Sequence, residues 1–304
     1  MEKVYDLAII GGGPGGYTSA LYGARAGLST LVLEQLSAGG QLALTHQIDN
    51  YPGFPDGIDG FELAEKMQSQ AERFGAKTEY VQVIRAELLA EPKVLETTGG
   101  TFYAKAVVIA TGAEPSQLGV PGEQEMTGRG VHYCAACDGM FYKDKTVVVV
   151  GGGNSAAADA MLLSRVAKQV IMVHRRDTLR ATKIYHQPLQ NAANVQFVWN
   201  STVEEIFHSQ KVTGVRIADV QTGTQREIAC DGVFVSIGRK PATALFTQLA
   251  QDEKGYILAD ESTDTSIPGV YAVGDVRTKL LRQVVTAVAD GAVAVHRAEN
   301  FLQK

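Results

Sequence analysis

Two units of strand, glycine-rich turn and helix, repeated in matching register, limit what this chain can fold into. Residues Tyr5 to Ile10 form an apolar, β-branched run of the kind buried in a parallel sheet. Gly11-Gly12-Gly13-Pro14-Gly15-Gly16 comes next and opens a helix of small residues, Tyr17 to Gly27. In such a GxGxxG turn Gly11 permits the tight bend, Gly13 lets the backbone approach a pyrophosphate, and Gly16 lets helix and strand pack closely. Bare amides at the helix start then hold phosphate, so Gly11, Gly13, Pro14 and Gly16 are candidate contacts. The pattern returns as Thr146 to Val150 and then Gly151-Gly152-Gly153-Asn154-Ser155-Ala156, with the tolerated alanine in the last glycine position.

The end of the second strand in each unit distinguishes the two copies. The strand Thr30 to Leu33 ends at Glu34, roughly 20 residues past the glycines, where an acid accepts hydrogen bonds from a ribose. His174 lies after Gly153 at the interval at which Glu34 lies after Gly13, and next come Arg175 and Arg176, with Arg180 close behind. Arginine there forks onto a 2′-phosphate that an acid would repel. The first site therefore suits a dinucleotide with a free ribose, such as FAD, and the second suits NADPH over NADH. The plainer alternative for the three arginines is a solvated basic face.

At 304 residues the chain suits two domains. Its net charge of -5 gives no bulk electrostatic case for nucleic acid or an anionic membrane. No apolar run approaches the roughly 18 residues of a membrane-spanning helix, and the early first strand leaves no room for a signal peptide. Pro115 and Pro121-Gly122 mark a boundary near residue 114, and the strand ending Gly238-Arg239-Lys240-Pro241 marks another. The strand Val270 to Val273, Gly274-Asp275 and a helix running to about Leu302 have no place in the second half, so they are expected to return to the first. The fold class is α/β: two Rossmann-like, three-layer nucleotide-binding domains, the second (115–241) inserted into the first (1–114 and 242–304).

Cys134-Ala135-Ala136-Cys137-Asp138 lies inside the second domain. Two cysteines two residues apart close a small disulfide ring, and at the start of a helix the dipole would make one thiol a nucleophile. Asp138 puts a carboxyl group where a proton has to be delivered. Half a zinc site and two packed cysteines are the alternatives. Zinc needs two more ligands, yet the third cysteine is Cys230 and no histidine pair has ligand spacing. Three cysteines do not make a disulfide scaffold, so a reducing cytoplasm is the expected home and a catalytic pair the expected use. Cys230 reads as core. His46, His132, His186, His208 and His296 read as surface or packing residues.

Together GGGPGG (Gly11 to Gly16), CAACDG (Cys134 to Gly139), GGGNSA (Gly151 to Ala156), HRRDTLRA (His174 to Ala181) and VGDVRTKLLRQVVTA (Val273 to Ala287) carry a family likeness. The chain resembles the low-molecular-weight thioredoxin reductases from end to end. The resemblance implies FAD in the first domain, NADPH in the second, thioredoxin as the protein substrate, and a homodimer. It further implies that Gly40, Gln41 and Asn50 lie near the flavin, and that Thr111, Gly112 and Ala113 contact FAD. Gly274 would contact FAD, Asp275 its ribitol chain, and Arg282, Gln283 and Val284 the ring region. Gly151, Gly153, Asn154, Ser155, His174, Arg175, Arg176 and Arg180 would hold NADPH. Cys137 would face the flavin, Cys134 would attack thioredoxin and Asp138 would donate the proton. The chain departs from the family where Ala157-Ala158-Asp159 stands for Val-Glu-Glu.

Chain order adds one expectation. Cysteines and nicotinamide share one domain and must use one flavin in the other, so the second domain is expected to rotate on linkers near Glu114 and Pro241. A related flavoprotein with another terminal acceptor, such as a peroxiredoxin, a glutaredoxin-like protein or oxygen, is the alternative enzyme. A non-catalytic flavin-binding redox sensor is the alternative outside enzymes.

Overall fold

The computed structural model describes residues 3–35, 37–45 and 47–303, and His46 lies outside them. The first strand, β1 (Val4–Ile10), leads through the glycine turn into α1 (Pro14–Arg25), then β2 (Thr30–Glu34) and α2 (Gly60–Arg73). Strands β3 (Lys77–Tyr80), β4 (Val83–Glu87), β5 (Lys93–Thr97) and β6 (Gly100–Ile109) come next. The chain leaves this unit through β7 (Ala113–Pro115). The second unit holds α3 (Glu123–Met126), β8 (Val131–His132), α4 (Ala135–Asp138), β9 (Thr146–Val150), α5 (Asn154–Leu163) and β10 (Gln169–Val173). It continues with α6 (His186–Asn191), β11 (Val195–Val198), β12 (Ser201–His208), β13 (Val212–Asp219), β14 (Gln225–Ala229) and β15 (Gly232–Val235). The chain returns through β16 (Arg239–Pro241), which pairs with β7, and ends in β17 (Val270–Ala272) and α7 (Val284–Leu302). The compact units are Met1–Glu114 with Lys240–Lys304, and Pro115–Arg239.

In the first unit the sheet runs β3-β2-β1-β6-β5-β4. The long β6 pairs with β5 through Gly100–Ala104 and, beyond it, with β17 through Val107–Ile109. Strands β1, β2, β3, β6 and β17 are mutually parallel, and β4 and β5 are antiparallel additions. Side chains alternate across a strand, so β1 serves both faces. Leu7 and Ile9 join Tyr17, Val32, Val108 and Ala294 on one side, while Ala8 and Ile10 join Leu31, Leu33, Leu95 and Phe246 on the other. Such double burial is why β1 reads as a continuous apolar run.

The second unit repeats the plan on a smaller sheet, β11-β10-β9-β15-β8, all parallel. Val147 and Val149 pack with Ala156, Ala157, Ala160 and Leu163 of α5. Val148 and Val150 pack with Val203, Ile206, Val215 and Ile217, so the antiparallel sheet β12-β13-β14 forms the other layer.

Candidate functional site

The first glycine turn is pinned from three sides. Gly11 has φ +103°, and a Cβ there would sit 2.6 Å from the Ala110 carbonyl oxygen at the end of β6. The Gly12 N–H donates to Glu34 Oε2 at 2.5 Å, and the Gly12 carbonyl accepts from the Gly39 N–H at 2.8 Å. Gly39 thereby brings the one-turn helix Gly40–Leu44, with exposed Gly40 and Gln41, up to the turn. A Cβ on Gly16 would collide with the Gly11 carbonyl oxygen, which is the physical reason α1 can leave β1 so tightly. Gly13 caps α1 with no side-chain hydrogen bond, and Pro14 takes the first helical position, where no N–H is needed. Within 4 Å of a Cβ on Gly13 there is just the Gly39 carbonyl oxygen, at 4.0 Å, among the described residues.

The carboxyl-terminal segment supplies the opposite side of this crevice. A Cβ on Gly15 would meet Val273 at the end of β17 and the Ala287 carbonyl of α7. A Cβ on Gly291 of α7 would collide with the Gly15 carbonyl oxygen, so two helix backbones approach through glycine. Gln283 caps α7, its N–H donating to Thr286 Oγ1 at 3.1 Å, and its side chain accepts from Asn50 Nδ2 at 3.0 Å. Val284 begins the helix. The Arg282 guanidinium lies 4.1 Å from the Tyr256 ring centroid, a cation–π stack, and its buried Nε has no partner among the described residues. After β6, the Thr111 hydroxyl donates to the Ala242 carbonyl at 2.8 Å, Gly112 accepts from the Ala242 N–H at 3.0 Å, and Ala113 is buried. These interactions fasten the outgoing and returning chain to each other.

Gly274 and Asp275 sit in a turn held by a group that sequence reasoning missed. Asp290, buried in α7, accepts from the Gly274 N–H at 2.8 Å, from Arg277 Nη2 at 2.7 Å and from Lys279 Nζ at 2.7 Å. Arg277 is 1% exposed. Burial works against the Asp290 charge, but Arg277, Lys279 and the Gly274 amide outweigh it and hold the carboxyl below its ordinary range. The available signal was one acid within the otherwise uncharged first half of α7, Val284 to Val295.

The second turn repeats the first with different chemistry. Gly151 has φ +140°, and its Cβ position is closed by the Ser236 carbonyl and Ala156. The Gly152 carbonyl accepts from the backbone N–H groups of Arg180 at 2.7 Å and Ala181 at 3.1 Å. Asn154 Oδ1 accepts from the Thr182 N–H at 2.8 Å. The arginine segment is thus folded onto the glycine turn, as the Gly39 loop is in the first unit. Gly153 and Ser155 stand at the uncapped start of α5, with nothing within 4 Å of a Cβ on Gly153. His174 is buried against Gly152, and its Nε2 has no partner among the described residues. Burial, then Arg175, Arg176 and Arg180, hold its pKa below the ordinary imidazole value, so it stays neutral. Those three arginines are exposed and make no ion pair among the described residues.

Cys134 and Cys137 form a disulfide, their Cα atoms 5.3 Å apart. Cys134 caps α4, which is a single turn ending in Asp138. The expectation of a helix dipole behind the thiols therefore needs correction: one turn sums few peptide dipoles. Asp159, on α5, accepts from the Ala135 N–H and from Ser236 Oγ, the latter at 2.5 Å. Burial raises the Asp159 pKa despite these bonds. The departure at 157–159 thus puts a carboxyl group against the start of the cysteine turn. His132, expected at the surface or in packing, is buried and bonded to Asp138: Nδ1 lies 2.9 Å from Asp138 Oδ2, and Nε2 lies 2.8 Å from the Tyr142 hydroxyl. Cys230 is buried and free, its thiol pushed up to about 12 chiefly by burial. His186 Nε2 lies 2.9 Å from the Ala181 carbonyl oxygen, while His208 and His296 are exposed.

Two glycine turns at the carboxyl ends of parallel strands, with a disulfide built onto the second unit, define a nucleotide-dependent disulfide oxidoreductase. The model of the pyridine nucleotide-disulphide oxidoreductases matches residues 5–291, and the chain belongs to that family. Within it, the chain is 44% identical to a thioredoxin reductase of Treponema pallidum, over 99% of this chain and 98% of that one. A thioredoxin reductase of Bacillus subtilis is 45% identical, over 100% of this chain and 96% of that one. The crystal structure of thioredoxin reductase from Streptococcus pyogenes is similar at a TM-score of 0.92 and 45% identity, covering 100% of this chain and 99% of that one. Among the described residues no helix is long and apolar enough to cross a membrane.

Proposed function

We infer that the chain reduces the disulfide of thioredoxin with electrons from NADPH, using FAD as the intermediate carrier. The observation that carries this is a closed Cys134–Cys137 pair set on the same unit as an arginine-flanked dinucleotide turn. The residues fit both cofactors. At the first turn, the side-chain-free approach at Gly13, the uncapped amides of α1 and the Glu34 carboxylate suit a pyrophosphate and a free ribose. At the second, the uncapped start of α5 and Arg175, Arg176 and Arg180, without an ion pair among the described residues, suit a pyrophosphate and a 2′-phosphate. Gly40, Gln41, Asn50, Thr111, Gly112, Ala113, Gly274, Asp275, Arg282, Gln283 and Val284 would border the flavin. Residues 1–114 with 242–304 would form the FAD domain, and 115–241 the NADPH domain. When bound, the cofactors supply hydride transfer and the electron pair that opens the disulfide.

The chain's own work is positioning and thiol exchange. Cys137 would face the flavin, Cys134 would attack the partner disulfide, and Asp138 would manage the proton. Met140 and Phe141, 61% and 42% exposed, place apolar surface one glycine beyond Asp138, suited to a protein substrate rather than a small disulfide. A homodimer in the cytoplasm is part of the same reading, supported by the end-to-end motif match; sedimentation of the holoenzyme and cell fractionation test these. The deciding experiment drives thioredoxin reduction with NADPH or with NADH and follows a chromogenic disulfide. Turnover with NADPH and thioredoxin is expected; no turnover with thioredoxin ends this reading.

A further inference from the structure

His132 stands two residues before Cys134, on β8, and bridges two groups that lie just past the cysteines in sequence. Its ring is 7% exposed, stacked on Phe234 with centroids 5.3 Å apart and edge-on to Tyr142 at 5.3 Å. Both ring nitrogens are engaged, Nδ1 by Asp138 and Nε2 by Tyr142. A buried ring stacked on Phe234 and bonded at both nitrogens is held in place, so its Nδ1 fixes where the Asp138 carboxyl points. We propose that His132, backed by Tyr142, is the positioning residue that orients Asp138 and takes up its proton during exchange at Cys134–Cys137. This rests on the thioredoxin-reducing reading above.

The three groups can carry one proton more or fewer while both the His132–Asp138 and the His132–Tyr142 bonds are kept. With a neutral ring, Nδ1–H donates to Asp138 and Nε2 accepts from the Tyr142 hydroxyl. With an imidazolium, Nε2–H donates to the Tyr142 oxygen instead, because a hydroxyl serves as donor or acceptor. Burial foremost, with Asp138, Cys230 and Asp231 nearby, pushes the Tyr142 phenol well above its ordinary value, so it remains a phenol throughout. The titratable and charged neighbours among the described residues are Lys145, whose Nζ lies 5.4 Å from the Tyr142 ring centroid, Asp231 and the neutral Cys230 thiol, which face Tyr142, and Asp159 at the Ala135 amide. In the exchange, Cys134 sulfur bonds to one sulfur of the partner as the partner disulfide breaks. Cys137 then displaces the partner and closes the Cys134–Cys137 bond. The dithiol loses two electrons, the partner gains them, and both thiol protons finish on the partner's sulfurs. Asp138 ferries one of these, and His132 holds it in transit.

The test uses FAD-loaded protein and separates the half-reactions by stopped flow. His132→Ala is expected to lower thioredoxin kcat by about tenfold or more, with KM and NADPH-driven flavin bleaching unchanged. His132→Asn keeps a donor toward Asp138 but cannot take a proton, so it should recover part of kcat and lose one titration step from the pH–rate profile. Tyr142→Phe removes the Nε2 partner and should shift that profile while leaving bleaching intact. Should His132→Ala fail to fold, the other two variants decide. Wild-type kcat and an unchanged pH profile in both His132→Asn and Tyr142→Phe would overturn the proposal. Wild-type protein that bleaches with NADPH but never reduces thioredoxin would instead overturn the functional reading beneath it.

Discussion

At the scale of single residues, two charges of opposite kind do unlike work. Asp290 is buried with Arg277 and Lys279, so Asp290→Ala strands two buried cations and is expected to cost about 3–5 kcal/mol in urea unfolding. Because the folded carboxyl titrates below its unfolded value, its contribution is full above roughly pH 4 and is lost as pH falls further. Asp290→Asn should flatten that part of the stability–pH curve; an unchanged slope would show the buried triad does not set it. Arg175 and Arg176, by contrast, are exposed and make no ion pair among the described residues, and their substitution should leave stability alone. Arg175→Ala with Arg176→Ala should weaken NADPH by roughly 1.5–3 kcal/mol per lost charged hydrogen bond and barely change NADH. Equal weakening of both nucleotides would reject 2′-phosphate recognition. Cys137→Ser should still allow flavin bleaching by NADPH yet reduce no disulfide.

At the scale of elements, both glycine turns, both strands after them and the final helix could be seen in the sequence, because each is local. An apolar run buried on two faces, a GxGxxG turn and a small-residue helix are properties of neighbouring residues. The pins that hold those turns are not. Gly39 on Gly12 and Arg180 on Gly152 are backbone bonds, and any residue type makes them, so no letter in the sequence reports them. The four-residue α4 was equally hidden, since one helical turn has no periodicity to read. Phe141 belongs to this scale: on the turn after α4 it is exposed while its neighbour Tyr142 is buried. Phe141→Ala should raise KM for thioredoxin several-fold with flavin bleaching unchanged. A KM equal to wild type would remove this surface from the substrate contact.

At the scale of the whole molecule, the insertion of one nucleotide fold into another confines the connection to two strands, β7 and β16. The cysteines lie in the inserted unit while the acid-marked turn lies in the other. If one flavin serves both nicotinamide and disulfide, the units must change arrangement during turnover. A covalent crosslink between them should permit flavin bleaching or thioredoxin reduction but not both. Undiminished turnover in a crosslinked enzyme would refute rotation.

Residue identity alone announced two glycine-rich strand–turn–helix units, an acid after one and arginines after the other, and a closable cysteine pair, since each is written in adjacent or regularly spaced letters. Tertiary structure alone decided that His132 bonds to Asp138, that Asp159 reaches the cysteine turn, and that Asp290 braces Gly274. Those partnerships are hydrogen bonds formed wherever packing happens to bring donor and acceptor together, and spacing along a chain does not encode that distance.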